Sequence, residues 1–389
     1  MSNNREIPSI EQSRNAIDRI DRELVQLFCE RMQVSADVAD YKKSIGMPVT
    51  DPARERSLLS KVSELAGPEM EENVRTLYAT ILSLSKAYQH ERLGTATTLS
   101  EMIAEAAKST SPFFPARARV ACQGVEGAYS LKAAEKLFSC PEVSFYKTFE
   151  DVFGAIESGE CRYGVLPIEN STAGSVTQIY DLMSCHRFYI VRTLRLKIDH
   201  CLLVKPGTKR EDIKEVVSHQ QALSQCAGYL AKMQGVKATA FVNTAKAAEF
   251  AKNAEGNAVA AISSRDCAAL YGLEILDEDI QDNGNNYTRF ICISKTPEIY
   301  PGADKTSIML TLPDAHRPGS LSRLLSQINA MHINLTKLES RPMPGQDFQF
   351  LFYLDLEAPV ETPALLRLLG ELEASSEKFR YLGTYREML

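Results

Sequence analysis

The sequence lacks the signatures that would place it in several large classes. Its nine cysteines contain no CxxC pair, and its six histidines show no ligand spacing. No structural or catalytic transition metal, and no other cofactor, is expected. The odd, irregular cysteine count favours reduced thiols over a disulfide framework. No apolar run approaches the roughly 20 residues that a membrane span needs. The polar N-terminus has no apolar signal core, so a cytoplasmic setting is expected. A net charge of −6 gives no reason to propose nucleic acid or a membrane surface as partner. The strand, Gly-rich turn and helix start at Arg119–Ser130 lack the GxGxxG spacing, which argues against a dinucleotide site. That turn could still offer backbone N–H groups to a small anion.

What is present is organised around Gly164-Val-Leu-Pro-Ile-Glu-Asn-Ser-Thr-Ala-Gly-Ser-Val176. It reads as a short apolar strand emptying into a polar turn, followed by a helix carrying Ile179, Leu182 and Met183. Pro167 marks an irregular ladder position. A second polar cluster, Asp282 to Arg289, feeds another apolar strand, Phe290 to Ile293. Each cluster alone reads equally well as a solvated turn. Together they point to one pocket built from distant parts of a chain long enough for two or three domains.

From Ser9 to about His90 the pattern is helical. Ile17, Ile20, Leu24, Leu27, Val34 and Val38 recur at helical intervals, and Arg31 and Lys42 share their stripe. Cations on an apolar face either hold an anionic ligand among helices or snorkel to the surface. Asp51-Pro52 starts a second helix, with Glu55 heading a stripe of Leu58, Leu59, Val62 and Leu65. The third runs from about Glu71 to Glu91, with Val74, Leu77, Tyr78, Ile81, Ser85 and Gln89 on one face.

These residues resemble the all-helical chorismate mutases, whose three-helix protomers form an intertwined dimer. The positions Arg14, Arg31, Lys42, Asp51, Arg54, Glu55, Ser85 and Gln89 carry the resemblance. It implies that Arg31 and Arg14, the latter from a partner subunit, hold the substrate carboxylates. Lys42 and Gln89 would face the ether oxygen, and Glu55 with the Asp51 backbone the ring hydroxyl. The implied rearrangement of chorismate to prephenate needs no nucleophile. It needs a folded dicarboxylate and fixed positive charge beside the oxygen where negative charge grows.

After a linker over 93–116, strands and helices alternate. Leu196–Val204 and Val259–Ile262 read as strands, Ser218–Gln225 opens a helix, and Asn243-Thr244 caps another. GVLPIENSTAGSV, SHQQALSQC and NNYTRF, in that order, resemble prephenate dehydratase across about 117–297. The chain has Gln220 where that family often has proline. The resemblance implies a two-lobed α/β domain like a periplasmic binding protein, which takes carbon dioxide and hydroxide from prephenate. Thr288 would be the proton donor, polarised by Arg289, which could also bind a carboxylate. Glu169 is an alternative acid if burial raises its pKa. Asn170, Ser171, Ser218 and Gln225 would position the ring and its carboxylates, while His219 reads as structural.

Beyond Pro301-Gly302 the order is strand, helix, strand, strand, helix, strand, a ferredoxin-like α+β layout over 304–389. Arg317-Pro-Gly-Ser-Leu321 and Leu338-Glu-Ser-Arg-Pro342 resemble the ACT domain, which binds amino acids between subunits. By that resemblance Gly319, Ser320, Leu321, Asn334 and Leu335 would contact phenylalanine as effector. A plain dimerisation module is the bland alternative. The combined expectation is three domains, over 1–92, 117–297 and 304–389, in a cofactor-free homodimer or higher homo-oligomer taking chorismate to phenylpyruvate. The alternative is a chorismate mutase fused to a non-catalytic aromatic-ligand sensor.

Overall fold

A computed structural model describes residues 9–389 apart from 48, 50, 94–96, 313–317 and 344–348. The chain divides into two compact units, one built on the N-terminal helices and one on the residues from Glu101 onward.

In the first unit, α1 (Ile10–Ile45) begins at a capping box: Ser9 Oγ accepts from Gln12 N at 3.2 Å and Gln12 Oε1 accepts from Ser9 N at 2.9 Å. Asp51 Oδ1 accepts from Arg54 N at 3.0 Å and starts α2 (Pro52–Ala66). A cap of either kind is worth about 1 kcal/mol. The third helix, α3 (Glu71–Leu93), packs on α1 where Ser35, Ala36 and Ala39 are buried and small enough for close approach. The expected core stripe of α1 is a different matter. Ile17, Ile20, Leu24, Leu27, Val34 and Val38 remain 42–61% exposed, and Leu65 and Leu77 further along are exposed too. The reason is length: α1 has 36 residues against 15 and 23 in its neighbours, which cannot cover it.

After α4 (Thr98–Ser109) the second unit begins with alternating elements: β1 (Arg117–Gln123), α5 (Tyr129–Leu137), β2 (Cys140–Tyr146), α6 (Phe149–Ser158) and β3 (Tyr163–Asn170). The short β4 (Gly174–Ser175) folds back on β3, and α7 (Thr177–Cys185) and β5 (Tyr189–Lys197) follow. Its partner β1 stops pairing with β3 at Val165, and the β11 register slips opposite Pro167, so the missing N–H falls at an irregularity as anticipated.

The expected single strand Leu196–Val204 is in fact two. β5 ends at Lys197 and β6 (Cys201–Val204) starts in another sheet, because Asp199 and His200 carry the chain between lobes. The second lobe contains β7 (Glu215–His219), α8 (Gln220–Gln225), α9 (Ala227–Leu230), β8 (Lys237–Phe241), α10 (Thr244–Asn253), β9 (Val259–Ser263), α11 (Arg265–Tyr271) and β10 (Glu274–Asp277). Its five strands run β10-β6-β9-β7-β8. The chain then returns to the first lobe as β11 (Tyr287–Ser294). Asn243 caps α10, its Oδ1 accepting from Lys246 N at 2.7 Å.

The remainder is β12 (Lys305–Thr311), α12 (Ser320–Ala330), β13 (Asn334–Pro342), β14 (Phe350–Glu357), α13 (Pro363–Ser375) and β15 (Phe379–Met388), the expected βαββαβ order. Its strands continue the sheet of the first lobe, β13-β14-β12-β15-β5-β11-β3-β1-β2 with β4 on β3. The join is β15. It pairs with β12 from Phe379 through Tyr385 and then parallel with β5 from Arg386 to Met388. Apolar faces meet below the join: Ile168, Ile179, Tyr180 and Met183 share a core with Met309, Tyr353 and Leu382.

Gly383 has φ 138°, and a Cβ placed there would stand 2.1 Å from Ile190 O. Both the backbone conformation and the space require glycine. Gly383→Ala is expected to cost about 3 kcal/mol or more in chemical denaturation followed at the second unit.

Candidate functional site

In the first unit α1 and α3 bring Ser35 and Ser85 together, their hydroxyls 2.6 Å apart. Gln89 is buried one turn beyond Ser85, and its Oε1 has no hydrogen-bond partner among the described residues. Arg31 Nη1 is in the same condition. A buried polar atom left unpaired costs about 1–3 kcal/mol, which a ligand with complementary oxygens and hydroxyls would offset. Lys42 Nζ donates to Val49 O at 2.5 Å. Glu55 pairs with Lys86 at 3.1 Å. Arg14, Asp51 and Arg54 are exposed. The sequence reading missed Ser35 and Lys86. Each had a spacing signal, Ser35 four residues after Arg31 and Lys86 three before Gln89.

In the second unit the two polar clusters meet as expected, and the strand pairing says how. Thr288 lies opposite Asn170, and Arg289 opposite Glu169. Successive side chains of a strand point to opposite faces, so these two rungs face opposite ways. On the first rung, Asn170 Nδ2 donates to Thr288 Oγ1 at 3.0 Å and to Asn286 Oδ1 at 2.8 Å. Asn170 Oδ1 accepts from the backbone N–H groups of Thr172 and Ala173 and from Gln225 Nε2 at 3.3 Å, which fixes its amide orientation. Gln225 Oε1 in turn accepts from Asn286 Nδ2 at 3.1 Å. Of these groups Gln225 and Asn286 line a cleft of about 290 Å³, together with Thr172, Ala173, Gln221 and Ser224, and Asn170 and Thr288 stand behind them. Such a volume suits a small polar metabolite.

His200 completes the cluster and was not anticipated. It is buried at the first crossing between lobes, with Nε2 2.9 Å from Gln225 Oε1. Because that oxygen only accepts, Nε2 carries the proton and Nδ1 is bare, without a partner among the described residues. Burial therefore holds the His200 pKa below its ordinary 6.5, outweighing the Gln225 hydrogen bond. The one signal in the sequence was Asp199-His200 interrupting an apolar run. His219, read as structural, caps α8, its Nδ1 accepting from Gln221 N at 3.3 Å. Gln220 is the first residue of that helix, a position where proline is equally at home.

Ser171 and Ser218 are in place but occupied. Ser171 Oγ donates to Asn285 O at 2.8 Å and accepts from Tyr287 N at 2.9 Å, closing the two clusters on each other. Ser218 Oγ, fully buried, donates to Ile262 O at 2.6 Å.

The second rung departs from expectation. Arg289 does not polarise Thr288 or face the cleft. It is buried, and Nη1 donates to Asp355 Oδ2 at 2.6 Å and to Glu169 Oε1 at 3.2 Å. Nη2 donates to Tyr385 Oη at 2.9 Å, and Nε lies 3.1 Å from Glu387 Oε1 without hydrogen-bond alignment. Burial opposes the Arg289 charge, but Tyr385 and the Asp355 and Glu169 carboxylates outweigh it and raise the pKa further. Glu169 is held the other way: burial pushes its carboxyl up, yet Lys337 at 2.7 Å and Arg289 bring it below the ordinary carboxylate value. The condition set for Glu169 as an alternative acid, a pKa raised by burial, is therefore not met: its cation partners outweigh the burial. Breaking one member of such a buried set costs about 3–5 kcal/mol through the charge left behind.

In the C-terminal layer Gly319 caps α12 at φ 81° with Ser320 buried behind it and Leu321 half-buried. Asn334 Nδ2 donates to Glu357 Oε2 at 2.8 Å, and Leu335 is half-buried. Arg317 lies outside the described residues. No group of three or more His, Cys, Asp or Glu able to hold a metal occurs among the described residues, and no described helix is long and apolar enough to cross a membrane.

Comparison with known proteins gives two family matches, Prephenate dehydratase over residues 120–298 and Chorismate mutase type II over 13–90. The chain is 40% identical to Arogenate dehydratase 2 of Petunia hybrida over 69% of its own length and 72% of the relative's. It is 29% identical to the Bifunctional chorismate mutase/prephenate dehydratase of Escherichia coli (strain K12), over 96% and 95%. Among solved structures, a quorum quenching acylase, GqqA, aligns at TM-score 0.62 with 31% identity, covering 69% of this chain and 97% of that one. A prephenate dehydratase from Arthrobacter aurescens in complex with L-Phe aligns at 0.63 with 28% identity, covering 69% and 89%.

The bare Nδ1 of His200 sets a pH dependence. In the unfolded chain the imidazole titrates near 6.5, and in the folded chain lower. As pH falls through 6.5 the unfolded state gains a proton that the folded state does not, so stability drops until the folded value is passed. His200→Gln removes this contribution. The fall in melting temperature between about pH 7.5 and 5.5 is expected to be a few degrees smaller in that variant, by scanning calorimetry.

Proposed function

This chain belongs to the prephenate dehydratase family with a type II chorismate mutase region ahead of it, and we propose on that basis that it converts chorismate to prephenate and prephenate to phenylpyruvate. The observation that carries the second step is the hydrogen bond from Asn170 Nδ2 to Thr288 Oγ1. A hydroxyl oxygen that accepts an N–H bond keeps its own proton free to donate and gains a partner for the charge left behind. In the reaction the bond between the ring carbon and its carboxylate breaks. Its electron pair enters the ring and aromatises it, and the hydroxyl at the opposite position departs. Proton transfer from Thr288 makes that group leave as water, and solvent returns the proton. Gln225 and Asn286 hold Asn170 in the orientation this requires.

The first step takes place in the helical unit. Arg31 and Gln89 have polar atoms waiting for a partner, and Lys42 and Glu55 complete a set suited to a folded dicarboxylate with a ring hydroxyl. The exposed stripe of α1 supports a homodimer in which a partner covers it and supplies its Arg14. Phenylalanine as effector is supported by the L-Phe complex of the Arthrobacter aurescens protein, with Gly319, Ser320, Leu321, Asn334 and Leu335 as the contacts. Relatives named arogenate dehydratase make arogenate a second substrate to test. A reducing compartment is supported by nine free cysteines; we read it as the cytoplasm, although Arabidopsis thaliana relatives are named chloroplastic.

The test supplies chorismate alone and follows prephenate and phenylpyruvate, with and without phenylalanine. Phenylpyruvate formed without added cofactor, and slowed by phenylalanine, is the expected outcome. Prephenate accumulating without phenylpyruvate would make the two-lobed region a sensor.

Two variants separate the sites. Thr288→Val should lower prephenate turnover by roughly 10²–10⁴-fold with chorismate turnover unchanged. Lys42→Met should do the converse, lowering kcat for chorismate by about 10²-fold or more with less effect on KM.

A further inference from the structure

Several side chains of the C-terminal layer end on the β3 turn and on α7 in place of one another. Lys337 Nζ donates to Glu169 Oε2 at 2.7 Å and to Ser175 Oγ at 3.1 Å. Glu339 Oε2 accepts from Ser175 Oγ at 2.6 Å, and Arg341 forks onto both oxygens of Asp181 at 2.9 Å. Deeper in, Asp355 takes Arg289 through Oδ2 and is hydrogen-bonded by Ser307 through Oδ1. None of these five residues lines the cleft. A buried set of carboxylates and cations is no more stabilising than apolar side chains of the same size. Placement is what such a set can add.

What it places is one residue away from the chemistry. Glu169 and Arg289 are the chain neighbours of Asn170 and Thr288, on paired strands, so a shift of one rung moves the next. We propose that Lys337 and Asp355 are positioning residues for the dehydratase site, setting the contact between Asn170 and Thr288 by holding Glu169 and Arg289 from behind. This rests on the reading of Thr288 and Asn170 given above. The same strand, β13, carries Asn334 and Leu335 on the near side of a bulge and Lys337 on the far side.

The experiment compares Lys337→Met and Asp355→Asn with the unmodified full chain. It measures prephenate and chorismate turnover and hydrogen exchange over residues 163–175 and 285–294. Expected are a roughly ten- to hundredfold lower kcat for prephenate, KM within about twofold, unchanged chorismate turnover and faster exchange in those two segments. Lys337→Arg should recover most of the rate. Unchanged prephenate kcat and unchanged exchange in both variants would overturn the proposal, as would exchange accelerated evenly across the second unit. If the unmodified chain fails to consume prephenate, the dehydratase reading falls instead. The exchange comparison then decides by itself whether Lys337 and Asp355 hold the two segments.

Discussion

Two adjacent rungs of one antiparallel pair carry the second unit. Strands β3 and β11 bring together stretches more than a hundred residues apart, and the twofold alternation of side chains sorts four polar residues onto two faces. Asn170 and Thr288 turn toward Asn286 and Gln225, which line the cleft; Glu169 and Arg289 turn into the C-terminal layer. From α8, Gln225 meets the first rung and holds its amide, and His200 at the crossing between lobes bonds Gln225 in turn. The network holds the Asn170 amide from several sides, while His200 Nδ1 and Arg289 Nε stay without hydrogen-bond partners among the described residues.

The helical unit works by another constraint. Small residues at Ser35, Ala36 and Ala39 let α3 approach α1, and the polar interior that results is only partly satisfied. Its Arg31 Nη1 and Gln89 Oε1 atoms, without partners among the described residues, carry a cost of about 1–3 kcal/mol each. The two units thus treat polar burial oppositely. One ties Asn170, Thr288, Gln225 and Asn286 to one another, and the other leaves Arg31 Nη1 and Gln89 Oε1 without partners among the described residues.

Much of this was legible in the sequence. The clusters at Asn170 and Thr288 stood at the ends of apolar strands, and their meeting could be inferred from two such ends needing one pocket. Gln225 and the βαββαβ order were equally plain. The role of Arg289 was misread although the period of a strand, applied to Thr288-Arg289, already separates them. Its partners were visible as acids in strand-like stretches, Asp355 in Phe350–Glu357 and Glu387 in Phe379–Met388, but nothing in the sequence states which distant cation an acid will find. His200 was lost because two strands in different sheets read as one. The apolar stripe of α1 was recognised, and what covers it within one chain was not, since helix length and not pattern decides that.

The way β15 leaves one partner for another bears on how this protein can be rebuilt. Its residues as far as Tyr385 complete the ferredoxin-like sheet, and its last ones belong to the lobe that continues that sheet, with glycine required at 383 where the strand passes Ile190. The C-terminal layer is therefore not a cassette that can be cut at the connecting loop near Pro301 and exchanged for another ligand-binding module. A graft would have to bring a final strand of the same reach, a glycine at the same step and an acid where Glu387 stands. The seam ties the regulatory portion and the catalytic portion into one heritable piece.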